Sequence, residues 1–363
     1  MNSVEWRTDL LGPDFQACEI PLGTDPDGEG EITATLIRHS PAAGPSAAGH
    51  SASDHEQTQA APAPHAVPAP HAVLYLHGFT DYFFQSHVAE HFAAQGFEFY
   101  ALDLRKCGRS LRPGLTPHFV RDLAAYDAEI EAALEIIRAG RTGAADAPSP
   151  RILLVGHSTG GLILPLWLDR LRRAADPATD PATDPAAEGA DRPAATAGQP
   201  RAARLHRSIS GLVLNSPWFD LQGKPHLRSV GTLAIDALGR LRPSAPVPAE
   251  LSDVYGTALH KSHGGEWSYD LDWKPLTGFP VLAGWLRAVR IGHAQLHKGL
   301  DVGVPSLVLR SARTVFTTRP SEATTAADTV LDVRQIARWS GCLGGQNTIV
   351  PIDDALHDVF LSA

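Results

Sequence analysis

Leu153-Leu154-Val155-Gly156-His157-Ser158-Thr159-Gly160-Gly161-Leu162-Ile163-Leu164 is the stretch that decides how this chain is read. An apolar run enters a Gly-x-Ser-x-Gly turn, and a second apolar run leaves it with helical character. A strand passing directly into a helix through so tight a turn lifts the central hydroxyl clear of the sheet. The flanking glycines are needed because side chains there would collide with neighbouring backbone. The five-residue pattern alone is a weak signal. The strand before it and the helix after it make Ser158 a candidate nucleophile rather than part of an ordinary Gly-rich turn.

Short apolar runs recur on both sides: residues 72–76, 97–103, 151–156, 211–216, 306–311 and 347–352. Between them lie helical patterns. Residues 85–95 read as a helix. Residues 120–138 put Val120, Leu123, Ala124, Ile130, Leu134 and Ile137 on one face, which only Asp127 interrupts. Short runs apolar throughout are strands buried on both faces, and helices between them imply parallel pairing. The prediction is an α/β fold: a mostly parallel central sheet of about eight strands flanked by helices, opened by an antiparallel pair at 15–22 and 31–38.

A serine at its ordinary pKa needs a base, and the base needs an orienting acid. After such an elbow the order along the chain is serine, acid, histidine. His357 stands just past the last apolar run, in Asp353-Asp354-Ala355-Leu356-His357-Asp358. The acid should follow the run at 306–311, where Asp328 and Asp332 are both available. Asp332 also suits a helix N-cap, so Asp328 is preferred and Asp332 is the alternative. A tetrahedral intermediate needs two backbone N–H donors. Thr159 offers one, and Phe79, in the turn His77-Gly78-Phe79-Thr80, offers the other. One base suffices for this chemistry, so His77 reads as a brace for that turn.

These residues resemble the α/β-hydrolase superfamily, in its lysophospholipase, monoacylglycerol-lipase and serine-aminopeptidase-like branch. The resemblance rests on His77-Gly78-Phe79, Asp103-Leu104-Arg105-Lys106-Cys107-Gly108-Arg109-Ser110, Gly156-His157-Ser158-Thr159-Gly160 and Leu356-His357-Asp358. The second motif departs from the family's Asp-x-Arg-Gly-x-Gly-x-Ser turn at Lys106 and Cys107. The resemblance implies an aspartate in the place of Asp328 as the third member of the triad. It also implies a further helix after the histidine. This chain stops at Ala363, so one sheet face near the last strand is expected to be thinly covered.

Residues 217–285 follow a strand and hold Trp218, Phe219, Trp267, Trp273, Phe279 and Trp285. They read as a mainly helical cap, a lid over the site inserted into one domain spanning 1–363. Segments 40–72 and 174–207 contain no Phe, Trp or Tyr and read as disordered, low-complexity insertions away from the chemistry.

The 363 residues are 43% hydrophobic with a net charge of -9. That charge argues against nucleic acid as a partner, and no apolar run is long enough for an integral membrane segment. Cys18, Cys107 and Cys342 are too few and too far apart for a disulfide framework. With a polar, acidic start, they point to the cytoplasm. His87/His91 and His293/His297 have metal-ligand spacing without supporting ligands and read as solvated helix histidines. No cofactor or metal is called for. The expected activity is hydrolysis of small-molecule carboxylic esters with an apolar acyl group, through Ser158, His357 and Asp328. An amide hydrolase is the alternative. It would need an acid such as Glu250, Asp253, Glu266, Asp270 or Asp272 to receive a substrate ammonium. A non-catalytic binding protein on the same fold is the second alternative.

Overall fold

The computed structural model describes residues 4–41, 72–141, 150–175, 199–222, 225–247 and 252–362. Nine strands form one sheet: β1 (Arg7–Asp9), β2 (Gly12–Thr24), β3 (Glu31–His39), β4 (Ala72–Leu76), β5 (Glu98–Asp103), β6 (Ile152–His157), β7 (Ile209–Asn215), β8 (Ser306–Ser311) and β9 (Asn347–Ile352). Their order across the sheet is β1-β2-β3-β5-β4-β6-β7-β8-β9. The first three strands and the β3–β5 pair are antiparallel, and every pair from β5 to β9 is parallel. The strand beyond the expected eight is β1, three residues long, too short to leave a pattern in the sequence.

Among the described residues there are eight α-helices: α1 (Ser86–Ala94), α2 (Asp127–Arg141), α3 (Gly160–Ala175), α4 (Gln199–Ser208), α5 (Pro225–Leu241), α6 (Val254–Leu259), α7 (Ala283–His297) and α8 (Val333–Ser340). Strand β4 shows why both faces of the sheet are covered. All five of its residues are buried. Val73 and Tyr75 join the core around Phe83, Val88 and Phe99, while Leu74 and Leu76 join the larger core containing Leu134, Leu162 and Trp167. That alternation is the two-residue period of a strand expressed as two apolar layers.

Two differences from the expected layout have physical causes. The helix expected over 120–138 begins as a 3-10 turn, Leu123–Tyr126, whose N-cap Asp122 accepts from the Ala124 N–H. Asp127, the polar residue on the apolar face, accepts from Arg170 of α3 at 2.8 and 2.5 Å. The segment 174–207 was expected to be wholly disordered, but its last part is α4. Ala202 and Leu205 of α4 are buried, and Arg204 pairs with Glu135 of α2 at 3.0 Å. A helix with so few large apolar residues is held by its neighbours and not by its own sequence. Residues 42–71 and 176–198, the bulk of both expected insertions, lie outside the described residues.

The expected cap region contains α5, α6 and a 3-10 turn at Lys261–His263, and ends at the start of α7. After β9 the chain makes one 3-10 turn, Val359–Leu361. Ile349 on β9, the edge strand, is 37% exposed. All three cysteines are free. Among the described residues no helix is long and apolar enough to cross a membrane.

Candidate active site

Ser158 sits between β6 and α3 with φ +52°, a left-handed conformation unfavourable for a side chain and held by its surroundings. Its N–H donates to the Asn215 carbonyl at 3.0 Å, and its own carbonyl accepts from the Trp218 N–H at 3.0 Å. The flanking glycines are required by contact. A Cβ on Gly156 would lie 2.8 Å from the Gly160 carbonyl oxygen. One on Gly160 would lie 2.5 Å from the carbonyl oxygens of both Leu76 and His77.

Ser158 Oγ lies 3.0 Å from His357 Nε2, and His357 Nδ1 lies 2.9 Å from Asp328 Oδ2. The other carboxylate oxygen of Asp328 accepts from the Val330 and Leu331 N–H groups at 2.8 and 2.7 Å. All three residues are buried, Asp328 completely. Each comes from a loop beyond the C-terminal end of a strand. Asp328 is fixed by pairing back on the chain just past β8: its N–H donates to the Arg313 carbonyl and its carbonyl accepts from the Val315 N–H, both at 3.0 Å. Asp332 is elsewhere engaged, as the N-cap of α8, accepting from the Arg334 N–H at 3.0 Å.

One residue the sequence did not single out holds this arrangement. Asn215, at the end of β7, donates through Nδ2 to Asp358 Oδ1 at 2.6 Å and accepts at Oδ1 from the Val359 N–H at 2.9 Å. It therefore ties the loop carrying His357 to the strand that holds the Ser158 amide. The sequence signal was slight: a polar residue closing an apolar run.

Phe79 and Thr159 follow two residues that approach closely: a Cβ on Gly78 would lie 2.8 Å from the Ser158 Cβ. His77 is fully buried. Its Nε2 accepts from the Leu104 N–H at 3.1 Å, so Nδ1 carries the proton donated to the Gly78 carbonyl at 2.7 Å. Asp103 braces the far end of the same loop, accepting from the Phe83 N–H at 2.8 Å and from Arg109. The departures at Lys106 and Cys107 have structural work. Lys106 is fully buried and pairs with Asp25 and Glu29 of the β2–β3 hairpin, each at 2.9 Å. The Cys107 thiol donates to the Arg105 carbonyl at 3.2 Å.

Phe79, Thr159, His118, Tyr126, Ile163 and Trp285 help line a cavity of about 10 Å³, room for one water molecule. Phe79 stacks on Trp285 with ring centroids 3.9 Å apart. His118 lies edge-on to Phe79 at 5.2 Å, and burial pushes its pKa down to about 3. Burial also lowers that of His157, whose ring centroid is 4.9 Å from that of His357.

The paired helix histidines are not solvated as expected. His293 Nε2 donates to the Trp218 carbonyl at 2.9 Å and His297 Nε2 to the Phe219 carbonyl at 2.8 Å, clamping the start of the cap. His87 bonds the Phe360 carbonyl at 2.8 Å, and only His91 is exposed. Among the described residues no cluster of His, Cys, Asp or Glu could hold a metal ion.

Residues 68–179 match the model of the serine aminopeptidase S33 family. No curated protein sequence matches the chain. Among solved structures, the monoacylglycerol lipase of Paleococcus ferrophilus superposes with a TM-score of 0.52 at 18% identity, over 80% of this chain and 88% of that one. A soluble variant of monoglyceride lipase from Saccharomyces cerevisiae, solved with a substrate analogue, gives 0.51 at 14% identity over 99% of this chain and 89% of that one. The fold is that of the α/β hydrolases.

Proposed function

We propose that this α/β hydrolase is a serine esterase, cleaving small-molecule carboxylic esters with an apolar acyl group in the manner of a monoacylglycerol lipase or lysophospholipase. The observation that carries the reading is the unbroken chain from Asp328 through His357 to Ser158, with contacts of 2.9 and 3.0 Å. Ser158 attacks the ester carbonyl as His357 Nε2 takes its proton. Asp328 holds the imidazole by Nδ1 and stabilises the imidazolium that forms. The Phe79 and Thr159 amides receive the oxyanion. His357 returns the proton to the leaving alcohol, and water, activated by the same imidazole, releases the acyl group.

The family match names aminopeptidases, so amide hydrolysis is the second reading. The monoacylglycerol and monoglyceride lipases among the superposed structures favour esters. Asp253, Glu266, Asp270 and Asp272 are exposed to solvent, and Glu250 lies outside the described residues. The three free thiols support a reducing compartment, the cytoplasm.

A panel of p-nitrophenyl esters and aminoacyl anilides, run on wild type and Ser158→Ala, tests the reading. Ester turnover lost in the variant supports it. Anilide turnover that exceeds ester turnover favours the aminopeptidase, and no turnover of either favours a binding protein.

A further inference from the structure

We propose that Lys274, a lysine of the cap, is a positioning residue that sets the Phe79 loop and the His357 ring together. This rests on the reading of Ser158, His357 and Phe79 given above. Lys274 Nζ lies 2.7 Å from Asp81 Oδ1, with the two side chains 8% and 2% exposed. Asp81 follows Phe79 closely in the loop that would supply the oxyanion donor.

The same cap stretch holds the neighbours of Asp81. The Phe279 N–H donates to Thr80 Oγ1 at 3.2 Å, and the Asp270 N–H donates to the Tyr82 hydroxyl at 2.7 Å. Thr80, Asp81 and Tyr82 are thus each gripped by the cap. Thr80 needs the grip, because its φ of +55° is an outlier for a β-branched residue.

Lys274 also reaches the base. Its ammonium is 5.8 Å from the centroid of the Tyr255 ring. That ring meets His357 edge-on at 5.5 Å, and its hydroxyl accepts from the Asp358 N–H at 3.2 Å. One buried cation therefore holds the Phe79 loop directly and faces the base through the Tyr255 ring.

Burial alone would push the Asp81 carboxyl up. The Lys274 ammonium, together with His157 and His77, more than reverses this and holds it below the ordinary carboxylate range. Without that ammonium the ion pair that ties the cap to the Phe79 loop is gone, whichever partner is removed with it, and the loop shifts; Lys274→Met alone also leaves a buried carboxylate uncompensated. The Phe79 N–H moves with the loop. A displacement of about 1 Å at such a donor costs on the order of 10²-fold in rate.

The test uses the full chain with Lys274→Met and with the double variant Asp81→Asn/Lys274→Met, which removes both charges and so avoids the lone carboxylate. The readouts are melting temperature, kcat and KM for p-nitrophenyl butyrate, and inhibition by an alkyl trifluoromethyl ketone, whose hemiketal oxyanion requires the hole. Both variants are expected to lose roughly 10²-fold in kcat, to keep KM within a few-fold, and to bind the ketone weaker by the same factor as kcat falls. The double variant should melt close to wild type. Ketone binding and kcat unchanged in the folded double variant overturns the inference, as does a fall in kcat without weaker ketone binding. Fluorophosphonate labelling separates the two claims. Wild type labelled at Ser158 alongside unaffected variants sinks only the role of Lys274, whereas unlabelled wild type overturns the reading of the site as well.

Discussion

His357 Nδ1 faces Asp328 Oδ2 at 2.9 Å, inside a region from which both side chains are almost wholly withdrawn from water. The rival acid, Asp332, spends its carboxylate on the first turn of α8. The two aspartates should therefore fail in different ways. Asp328→Asn is expected to lower kcat by up to about 10⁴-fold, because the imidazole loses the partner that fixes its tautomer. Asp332→Ala removes a cap, costs about 1 kcal/mol of stability and leaves kcat near wild type. Steady-state kinetics and thermal melts on both variants check this; the opposite pattern would move the acid to Asp332.

The elbow makes a second, steric prediction. The space at Gly160 is closed by the backbone carbonyls of Leu76 and His77, 2.5 Å from where a Cβ would stand. Backbone at the end of a central strand yields poorly, so Gly160→Ala is expected to cost about 1–3 kcal/mol in stability. It should also displace the His77–Phe79 turn and lower kcat. A variant with wild-type melting temperature and turnover would show that β4 and the elbow do not approach this closely.

How far the sequence could be read depended on how local each feature was. The elbow was legible because a strand, two glycines and a helix are contiguous at 153–164. The choice between Asp328 and Asp332 was open because both follow β8, and only the pairing of Asp328 with residues 313 and 315 swings one carboxylate towards His357. Helix α4 was hidden for a related reason. Its buried Leu205 and its pairing of Arg204 with Glu135 exist only once α2 and α3 are in place. His293 and His297 looked solvated because their acceptors, the carbonyls of Trp218 and Phe219, are far away in sequence.

Acid should destabilise the protein through its buried histidines. Burial holds both His118 and His293 neutral, with pKa values of about 3 against 6.5 for the free side chain. His293 is flanked by Arg290, Asp220 and His297, and its Nδ1 lies 3.1 Å from Arg290 Nη1, which opposes a proton there. Between pH 6.5 and 3 the unfolded chain binds more protons than the folded one, so stability falls as pH falls through that window. Each histidine contributes a slope of up to about 1.4 kcal/mol per pH unit. Melting temperatures of wild type and His293→Gln from pH 7 to pH 4 should converge towards acid, with the shallower slope in the variant. Parallel curves would refute the assignment.

The last prediction concerns the segment between β3 and β4. Strand β3 ends at His39 antiparallel to β5, and β4 begins at Ala72 beside Glu98, the first residue of β5. Both ends therefore lie at the same edge of the sheet, with β5 between them and so about 10 Å apart, two strand spacings. Each end is separately anchored. The Ser40 N–H donates to the Asp14 carbonyl at 2.7 Å and the Ala72 N–H to the Arg151 carbonyl at 3.1 Å. Ser158, Phe79, Asp328 and His357 all follow the opposite ends of their strands, so this edge is remote from the chemistry. Replacing residues 42–71 by four to six Gly/Ser residues, enough to span about 10 Å at roughly 3.3 Å each, should leave the sheet and the site intact. Closing a shorter loop costs less entropy, by about 0.6 kcal/mol for each halving, so melting temperature should hold or rise slightly. We expect kcat/KM to stay within tenfold of wild type, about 1.4 kcal/mol in transition-state stabilisation. A larger fall at unchanged melting temperature would mean that the segment reaches the other edge of the sheet and takes part in binding or turnover.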